Sequence, residues 1–175
     1  HFFLLKKIRL RKIVGMFKYL DYIKFFKDTN KHNVIKIGTK NIDHKEITIS
    51  KILENQNNII LKVDIEGDEY KILDEIISNS EKINSLIIEF HDIHKYMDLI
   101  ENFIKNTKVL KLIHIHGNNF AGKNDNEDPN VLELTFINIE NTKLELVKTK
   151  KNYPLKNLDY KNTHRKDDFF LKFND

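Results

Sequence analysis

Short apolar runs alternate along this chain with segments whose apolar residues recur at helical spacing. Residues 59–63 (IILKV) are apolar and rich in β-branched side chains, so we expect a strand that is buried on both faces. Gly67 and a segment with helical spacing, residues 68–77, come directly after this strand. A strand that passes at once into a helix is the βα turn of an α/β domain.

The same alternation continues to residue 139. The elements predicted after the first strand are a helix at 68–77, strands at 85–90, 109–116 and 131–139, and a helix at 94–105 with Met97, Ile100 and Ile104 on one face. Helices join the first three strands, which should therefore be parallel. A loop rich in Gly, Asn and Asp separates the last two strands, so we expect them to form an antiparallel hairpin.

Shorter signals lie on either side of this region. Residues 34–38 (VIKIG) predict a brief strand that ends at a turn, and residues 169–173 (FFLKF) predict a small edge strand. Ser50 is expected to cap a short helix, and Asp68 is expected to cap the helix after the first long strand.

The N-terminal segment differs in character from the rest. Residues 1–27 are apolar and basic, and Ile13, Phe17, Leu20 and Ile23 recur at helical spacing, which predicts an amphipathic helix. Such a helix either lies on a membrane surface or packs on the domain, and we favour packing. We therefore divide the chain into an N-terminal segment, 1–45, and a domain, 46–175.

Composition narrows the class of protein. The chain has 175 residues and no cysteine, which suits one globular domain in a reducing compartment, and we expect the cytoplasm. No apolar run reaches the ~20 residues of a membrane span. The net charge of +4 comes from dispersed basic residues without a recognisable nucleic-acid module, so nucleic acid is not an expected partner.

A more specific pattern lies in residues 61–73, LKVDIEGDEYKIL. The residues that match the pattern K-(I/V)-D-(V/I)-E-G-x-E-x-x-(I/V)-L in type and spacing include Lys62, Asp64, Glu66, Gly67, Glu69 and Leu73. This signature resembles that of FkbM-type methyltransferases. The segments that also resemble the family are ITISKIL (47–53, with Ser50 in place of an Asp), LIIEFHD (86–92), HIHGNNF (114–120), VLELTFIN (131–138) and LDYKN (158–162).

The resemblance implies an α/β fold of the Rossmann-like class I methyltransferase type, with a mostly parallel sheet, an antiparallel C-terminal hairpin and S-adenosylmethionine as cofactor. In that fold a glycine-rich turn and a strand-end acid hold the cofactor. On the resemblance, the strands that carry these groups should lie before residue 40, where this chain has too little sequence to build them. We therefore expect an incomplete sheet, assign no cofactor-binding residue, and expect the exposed sheet edge to favour association with another chain.

Asp64 and Glu66 are the first candidates for chemistry. They stand two residues apart at the end of a predicted strand, so their side chains would share a face. Paired acids act as general bases, hold a metal or bind a hydroxylated substrate, and O-methylation requires a base for the substrate hydroxyl. Which of the two is the base stays open, as does the alternative that one caps the next helix. Glu69 either binds substrate or stabilises the first helical turn.

His91 and His116 are the candidate histidines. His91 would reach the same rim as Asp64 if their strands are adjacent, and its alternative role is that of a hydrogen-bonded rim histidine. His116 leads into a loop where Asn118 and Asn119 either bind substrate oxygens or form a left-handed turn. Asp64, Glu66, His91 and His116 could together form an oxygen and nitrogen metal site, but their spacing predicts no particular geometry, and we assign no metal.

Two functional hypotheses follow. The first is O-methylation of a hydroxylated or sugar-like small molecule, such as a glycan or a natural product. Its candidate residues are catalytic Asp64, Glu66, His91 and His116 and substrate-binding Glu69, Asn118 and Asn119. The second is a non-catalytic domain that binds a partner or a membrane surface through its basic N-terminal helix.

Overall fold

The computed structural model describes residues 18–27, 30–142, 145–148 and 152–171. Its contacts divide the chain into two compact units, His1–Ile35 and Lys36–Asp175. In the first unit, residues 18–25 are helical (α1), and Leu20 and Phe25 are more than half exposed. Ile13, Phe17 and the basic residues before them lie outside the described ranges. None of the described helices is long and apolar enough to cross a membrane.

The second unit alternates strands and helices as the hydrophobic pattern predicts. Its elements are β1 Lys36–Ile37, β2 Glu46–Ile47, α2 Ile49–Ile52, β3 Ile59–Val63, α3 Leu73–Ser78, β4 Ile83–Phe90, α4 Ile93–Asn106, β5 Leu110–Gly117, β6 Leu132–Asn138 and α5 Ile139–Thr142. Two 3-10 turns, Glu69–Ile72 and Ser80–Lys82, precede α3 and β4. The α/β class is therefore confirmed.

Four strands form one mixed sheet in the order β3-β4-β6-β5, and β1 and β2 form a two-stranded parallel sheet. β3 pairs with β4 in parallel, whereas β6 is antiparallel to both β4 and β5. The common direction of β3, β4 and β5 and the β5–β6 hairpin are thus confirmed. The expectation of mostly parallel pairing is wrong, because the second strand of the hairpin, not the first, pairs with β4.

Helix α4 covers one face of this sheet. The ring of Phe103 lies 6.4 Å from that of Phe90 on β4 and 5.4 Å from that of Phe136 on β6, measured between centroids. Ile100 is buried as predicted, but Met97 is 40% exposed, and Phe103 occupies the core instead. The apolar face of the helix is therefore rotated away from the position that the spacing suggested.

The opposite face of β3 is open within the described part of the chain. Ile60 is 74% exposed, so the expectation that this strand is buried on both faces is wrong. Over β5 the same face is covered, because the C-terminal segment brings the ring of Tyr153 to 5.1 Å from that of His114. Tyr153 also forms a single antiparallel bridge with Leu171. Leu171 belongs to the predicted edge strand, 169–173, of which residues 169–171 are described.

Both predicted helix caps need correction. Thr48, not Ser50, caps α2, because its hydroxyl accepts a hydrogen bond from the backbone N–H of Lys51 at 3.2 Å and Ser50 already lies inside the helix. Asp68 makes no capping hydrogen bond from its side chain. Its carboxylate instead pairs with the ammonium group of Lys71 at 2.5 Å and with that of Lys36 at 3.6 Å.

We predict that Thr48→Ala lowers the free energy of unfolding by about 1 kcal/mol, because it removes the cap of α2. The variant also loses the hydrogen bond that the Thr48 hydroxyl donates to Asn41. Ser50→Ala is the matched control, and its expected effect is within ~0.5 kcal/mol because Ser50 is exposed and its hydroxyl accepts one solvent-exposed hydrogen bond, from the side-chain amide of Asn79. Urea denaturation of both variants measures the difference, and an equal loss in the two variants would contradict this assignment.

Candidate active site

The turn after β3 is built around the carboxylate of Glu69. Glu66 and Gly67 adopt positive φ angles of 54° and 102°, a conformation that glycine tolerates and that turns the chain sharply. Glu69 is fully buried beneath this turn. Its Oε1 accepts hydrogen bonds from the backbone N–H groups of Gly67, at 3.0 Å, and Ile65, at 3.3 Å. The predicted structural role of Glu69 is therefore supported over substrate binding, since a buried carboxylate is not presented to a ligand.

The same oxygen orients His91, the residue directly after β4. Nδ1 of His91 lies 2.9 Å from Glu69 Oε1. An ionised carboxylate can only accept hydrogen bonds, so with Glu69 ionised the ring donates and Nδ1 carries the proton. In the neutral imidazole, Nε2 is then the lone-pair nitrogen, and it faces Glu66 Oε2 at 3.5 Å. The His91 ring is thereby set up as a base or a metal ligand.

Tyr70 holds the backbone of His91 in place. The phenol donates a hydrogen bond to the His91 carbonyl oxygen at 2.5 Å. Its ring packs against that of Tyr96, with centroids 4.3 Å apart, and that of Phe90, at 5.5 Å. Burial raises the pKa of Tyr70 above its usual range, so the phenol remains a donor. Tyr70 carries no local sequence signal for this role, because its partner is 21 positions away.

Asp64, Glu66 and His91 come together at the rim where the parallel strands β3 and β4 end. One potential ligand atom from each residue lies within 4.8 Å of the others. Asp64 and Glu66 are exposed, whereas His91 is partly buried. Asp64 Oδ2 also lies 3.7 Å from the ammonium group of Lys62. The expectation that His91 reaches the rim of Asp64 is therefore confirmed, and the three groups can remove a proton or bind a cation.

Glu89, one strand position before Phe90, adds a further acid near this rim. Burial, together with the charges of Asp64 and Glu133, raises the pKa of Glu89. The side-chain amide of Asn118 donates a hydrogen bond to Glu89 at 2.9 Å. Asn118 also accepts hydrogen bonds from backbone N–H groups in its own loop, so its amide is occupied within the protein. Glu89 and His91 both stand at the end of this strand in the sequence, but the pattern alone gave Glu89 no role.

His116 does not join the rim, because it lies on β5 and β6 separates β5 from β4. Its Nδ1 lies 3.2 Å from Glu133 on β6, and its Nε2 lies 3.3 Å from Asp168 in the C-terminal segment. Hydrogen bonds to Glu133 and Asp168 raise the pKa of His116 to about 9. Both ring nitrogens thus contact acids, an arrangement that favours a structural role over the predicted catalytic one.

Asn119 likewise connects the loop after β5 to the C-terminal segment. The residue is 1% exposed. Its amide group donates to the carbonyl oxygens of Thr163 and Lys166, and its oxygen accepts from the backbone N–H of Thr163. The side chain is therefore fully used in holding this segment, and the geometry does not support its predicted contact with substrate.

A cleft of about 410 Å³ lies apart from the rim, beside β1 and the start of the first 3-10 turn. Its charged lining includes Lys36, Lys71 and Asp68. Asp68 pairs with both lysines, so its carboxylate is occupied within the protein and offsets one of their two positive charges. We therefore place the candidate chemistry at the rim and not in this cleft.

The comparisons with known proteins agree with the signature at the rim. The chain matches the Methyltransferase FkbM domain family over residues 16–120, which is more than half of its 175 residues. This chain belongs to the FkbM methyltransferase domain family. The matched range starts upstream of residue 47, where the resemblance in motifs begins, and it ends before β6. No curated protein and no solved structure matched the chain.

The FkbM family is generally dependent on S-adenosylmethionine. Binding of such a cofactor uses a glycine-rich turn at a helix N-terminus and a strand-end acid for the ribose hydroxyls. Gly67 is the one glycine that follows a strand and precedes a helical turn in the described ranges, and it has no glycine partner. The described residues therefore do not provide the expected cofactor cradle. The rim of Asp64, Glu66 and His91 is instead a candidate site for the methyl acceptor.

We predict that His116→Gln destabilises the protein most at mildly acidic to neutral pH. The folded-state pKa of His116, about 9, exceeds its ordinary value of 6.5, so the stabilisation is fully present below pH 6.5 and is lost as pH rises through 9. Glu133 has the opposite sign, because His116 lowers its pKa, and its contribution disappears in acid.

Urea denaturation of wild type and His116→Gln between pH 5 and pH 10 measures this effect. The difference in unfolding free energy between the two proteins should shrink steadily above neutral pH. A difference that is independent of pH would show that His116 is not held by these acids in its charged form.

Proposed function

We propose that this FkbM domain methylates a hydroxyl oxygen of a small hydroxylated or sugar-like molecule, with S-adenosylmethionine as methyl donor. The observation that supports this proposal most is the orientation of His91 by buried Glu69. The arrangement leaves Nε2 facing Asp64 and Glu66 at the rim. A hydroxyl group must lose its proton as it attacks a methyl carbon, and this rim offers the groups that assist that loss.

The topology supports the class I methyltransferase assignment. The order strand, helix, strand, helix, strand, strand in β3 to β6 resembles the second half of that fold, which ends in an antiparallel hairpin. In open α/β sheets, ligands bind beyond the carboxyl ends of the strands. Asp64 and Glu66 follow the carboxyl end of β3, and His91 follows that of β4, so the acceptor would lie over these two ends.

In this proposal the described residues of the rim bind the methyl acceptor. Asp64 and Glu66, which are both exposed, bind the acceptor through hydrogen bonds from its hydroxyl groups. The rim carries little positive charge, because the cation that contacts Asp64 there is a single lysine, Lys62. The site therefore suits a neutral polyol or glycoside better than an anionic acceptor. Binding of S-adenosylmethionine needs a separate test, because the described residues do not provide the expected glycine-rich cradle.

The cofactor assignment is tested by calorimetric titration of the whole chain with S-adenosylmethionine and S-adenosylhomocysteine. Under the proposal, both compounds bind saturably, and the heat of binding is measured without any acceptor present. Circular dichroism on the same sample establishes that the chain is folded. A folded sample that binds neither compound would overturn the proposal that this chain acts as a methyltransferase by itself.

The acceptor side is tested by transfer of a radiolabelled methyl group to a panel of polyols, monosaccharides and glycosides. We expect a base-stable ether product, since an ester would be hydrolysed under alkaline conditions. His91→Gln should lower the rate by about 100- to 10,000-fold, because the rim loses its oriented nitrogen. His94→Gln is the matched control, as it makes the same change on the exposed start of α4. Equal rates in the two variants would remove His91 from the site.

A further inference from the structure

We propose that Asp64, Glu66 and His91 bind one divalent cation at the rim of β3 and β4, with Glu69 as the residue that orients the histidine. The potential ligand atoms of the three side chains already lie within 4.8 Å of one another. Ligand atoms on one cation are about 3–5 Å apart, because each metal–ligand bond measures roughly 2.0–2.6 Å. The three groups can therefore share an ion with small side-chain rotations.

Glu69 supplies an observation that is independent of this cluster. Its side chain is fully buried, Oε1 is directed at the His91 ring, and Oε2 has no hydrogen-bond partner among the described residues. A buried carboxylate with an unpaired oxygen is costly unless positive charge lies close to it. A cation on Nε2 would polarise the imidazole and strengthen the hydrogen bond from Nδ1 to Glu69. This carboxylate–histidine pair is the arrangement that typically supports a metal-bound histidine.

The surroundings leave the far side of the proposed ion accessible. The side chain of Glu66 is 87% exposed, and that of His91 is 19% exposed. Apart from its two neighbours in the chain, no described residue has an atom within 4 Å of the position that a Cβ on Gly67 would take, so the space above the turn is open. Three protein ligands on one side would leave coordination positions for substrate oxygens on the other.

The ligand set indicates the class of ion. Two carboxylates and one imidazole combine the oxygen ligands that suit Mg²⁺, Ca²⁺ and Mn²⁺ with a nitrogen ligand that suits Zn²⁺ and other transition metals. Mn²⁺ accepts both types, and we take it as the probe. Under the proposed function, on which this use of the ion rests, the cation would hold the acceptor hydroxyl and make it more acidic.

Metal binding is measured without cofactor or acceptor, so that it does not depend on methyl transfer. Electron paramagnetic resonance detects free Mn²⁺ while the full chain is titrated, and we expect one bound ion per chain. The double variant Asp64→Asn, Glu66→Gln should lose this binding, because both carboxylate ligands become neutral amides. Asp92→Asn is the control for the type of substitution, since it removes one carboxylate charge beside His91, against two in the double variant, at an exposed left-handed position that asparagine also adopts.

Glu69→Gln tests the orienting role. We expect Mn²⁺ affinity to fall by about 10- to 100-fold, as for other residues that support a metal-bound histidine. Because Glu69 is buried, this variant is interpreted only if circular dichroism shows it folded; the exposed double variant decides the proposal in either case. Absence of binding by folded wild type, or binding that the double variant retains, would overturn the metal site.

The two proposals fail in different ways. Methyl transfer at full rate in the presence of a strong chelator would overturn the use of the ion and leave the proposed function intact. Stoichiometric Mn²⁺ binding by a chain that binds no S-adenosylmethionine would support the metal site and count against the proposed function.

Discussion

The candidate site depends on one buried carboxylate. Glu69 is 0% exposed, and its Oε1 receives the N–H groups of Ile65 and Gly67 and the Nδ1–H of His91. The first two contacts shape the turn after β3, and the third fixes the residue after β4. A single oxygen therefore links the segments that follow two neighbouring strands, in addition to the ladder that pairs β3 with β4. Without it, the turn would lose the acceptor for two backbone donors, and His91 would lose its defined tautomer.

The sheet topology explains why the other predicted residues do not join this site. β6 lies between β4 and β5, so His116 faces Glu133 and Asp168 instead of the rim. Asn119 is turned toward the C-terminal segment and holds it by three hydrogen bonds. The polar residues near the end of β5 thus serve to attach this segment, while the chemistry of the signature stays with β3 and β4. The FkbM match, which ends at residue 120, covers the rim and not the attached segment.

The strands and helices of the second unit could be predicted because hydrophobic periodicity depends on residues close together in sequence. The rim was predictable for the same reason, since Asp64 and His91 each follow directly on a strand and Glu66 comes two residues after Asp64. Features that depend on residues far apart in the sequence could not be predicted in this way. Ile60 belongs to an apolar run, but its exposure is decided by what covers the strand. The acid partners of His116 lie 17 and 52 residues away, beyond the reach of any local pattern.

The corrected roles share a physical cause. Thr48 and Ser50 both suit a helix start, and only the position of the first turn distinguishes them. Asp68 suits a cap as well, but two lysines compete for its carboxylate. Glu69, one residue later in the same signature, is withdrawn from solvent and directed at His91. Glu66, Asp68 and Glu69 are the acids nearest Gly67; the buried Glu69 orients His91, and the exposed Glu66 lies at the rim. This division argues that the spacing of the signature, E-G-x-E, serves two purposes: its first glutamate is presented to the rim, and its second supports the histidine that the rim requires.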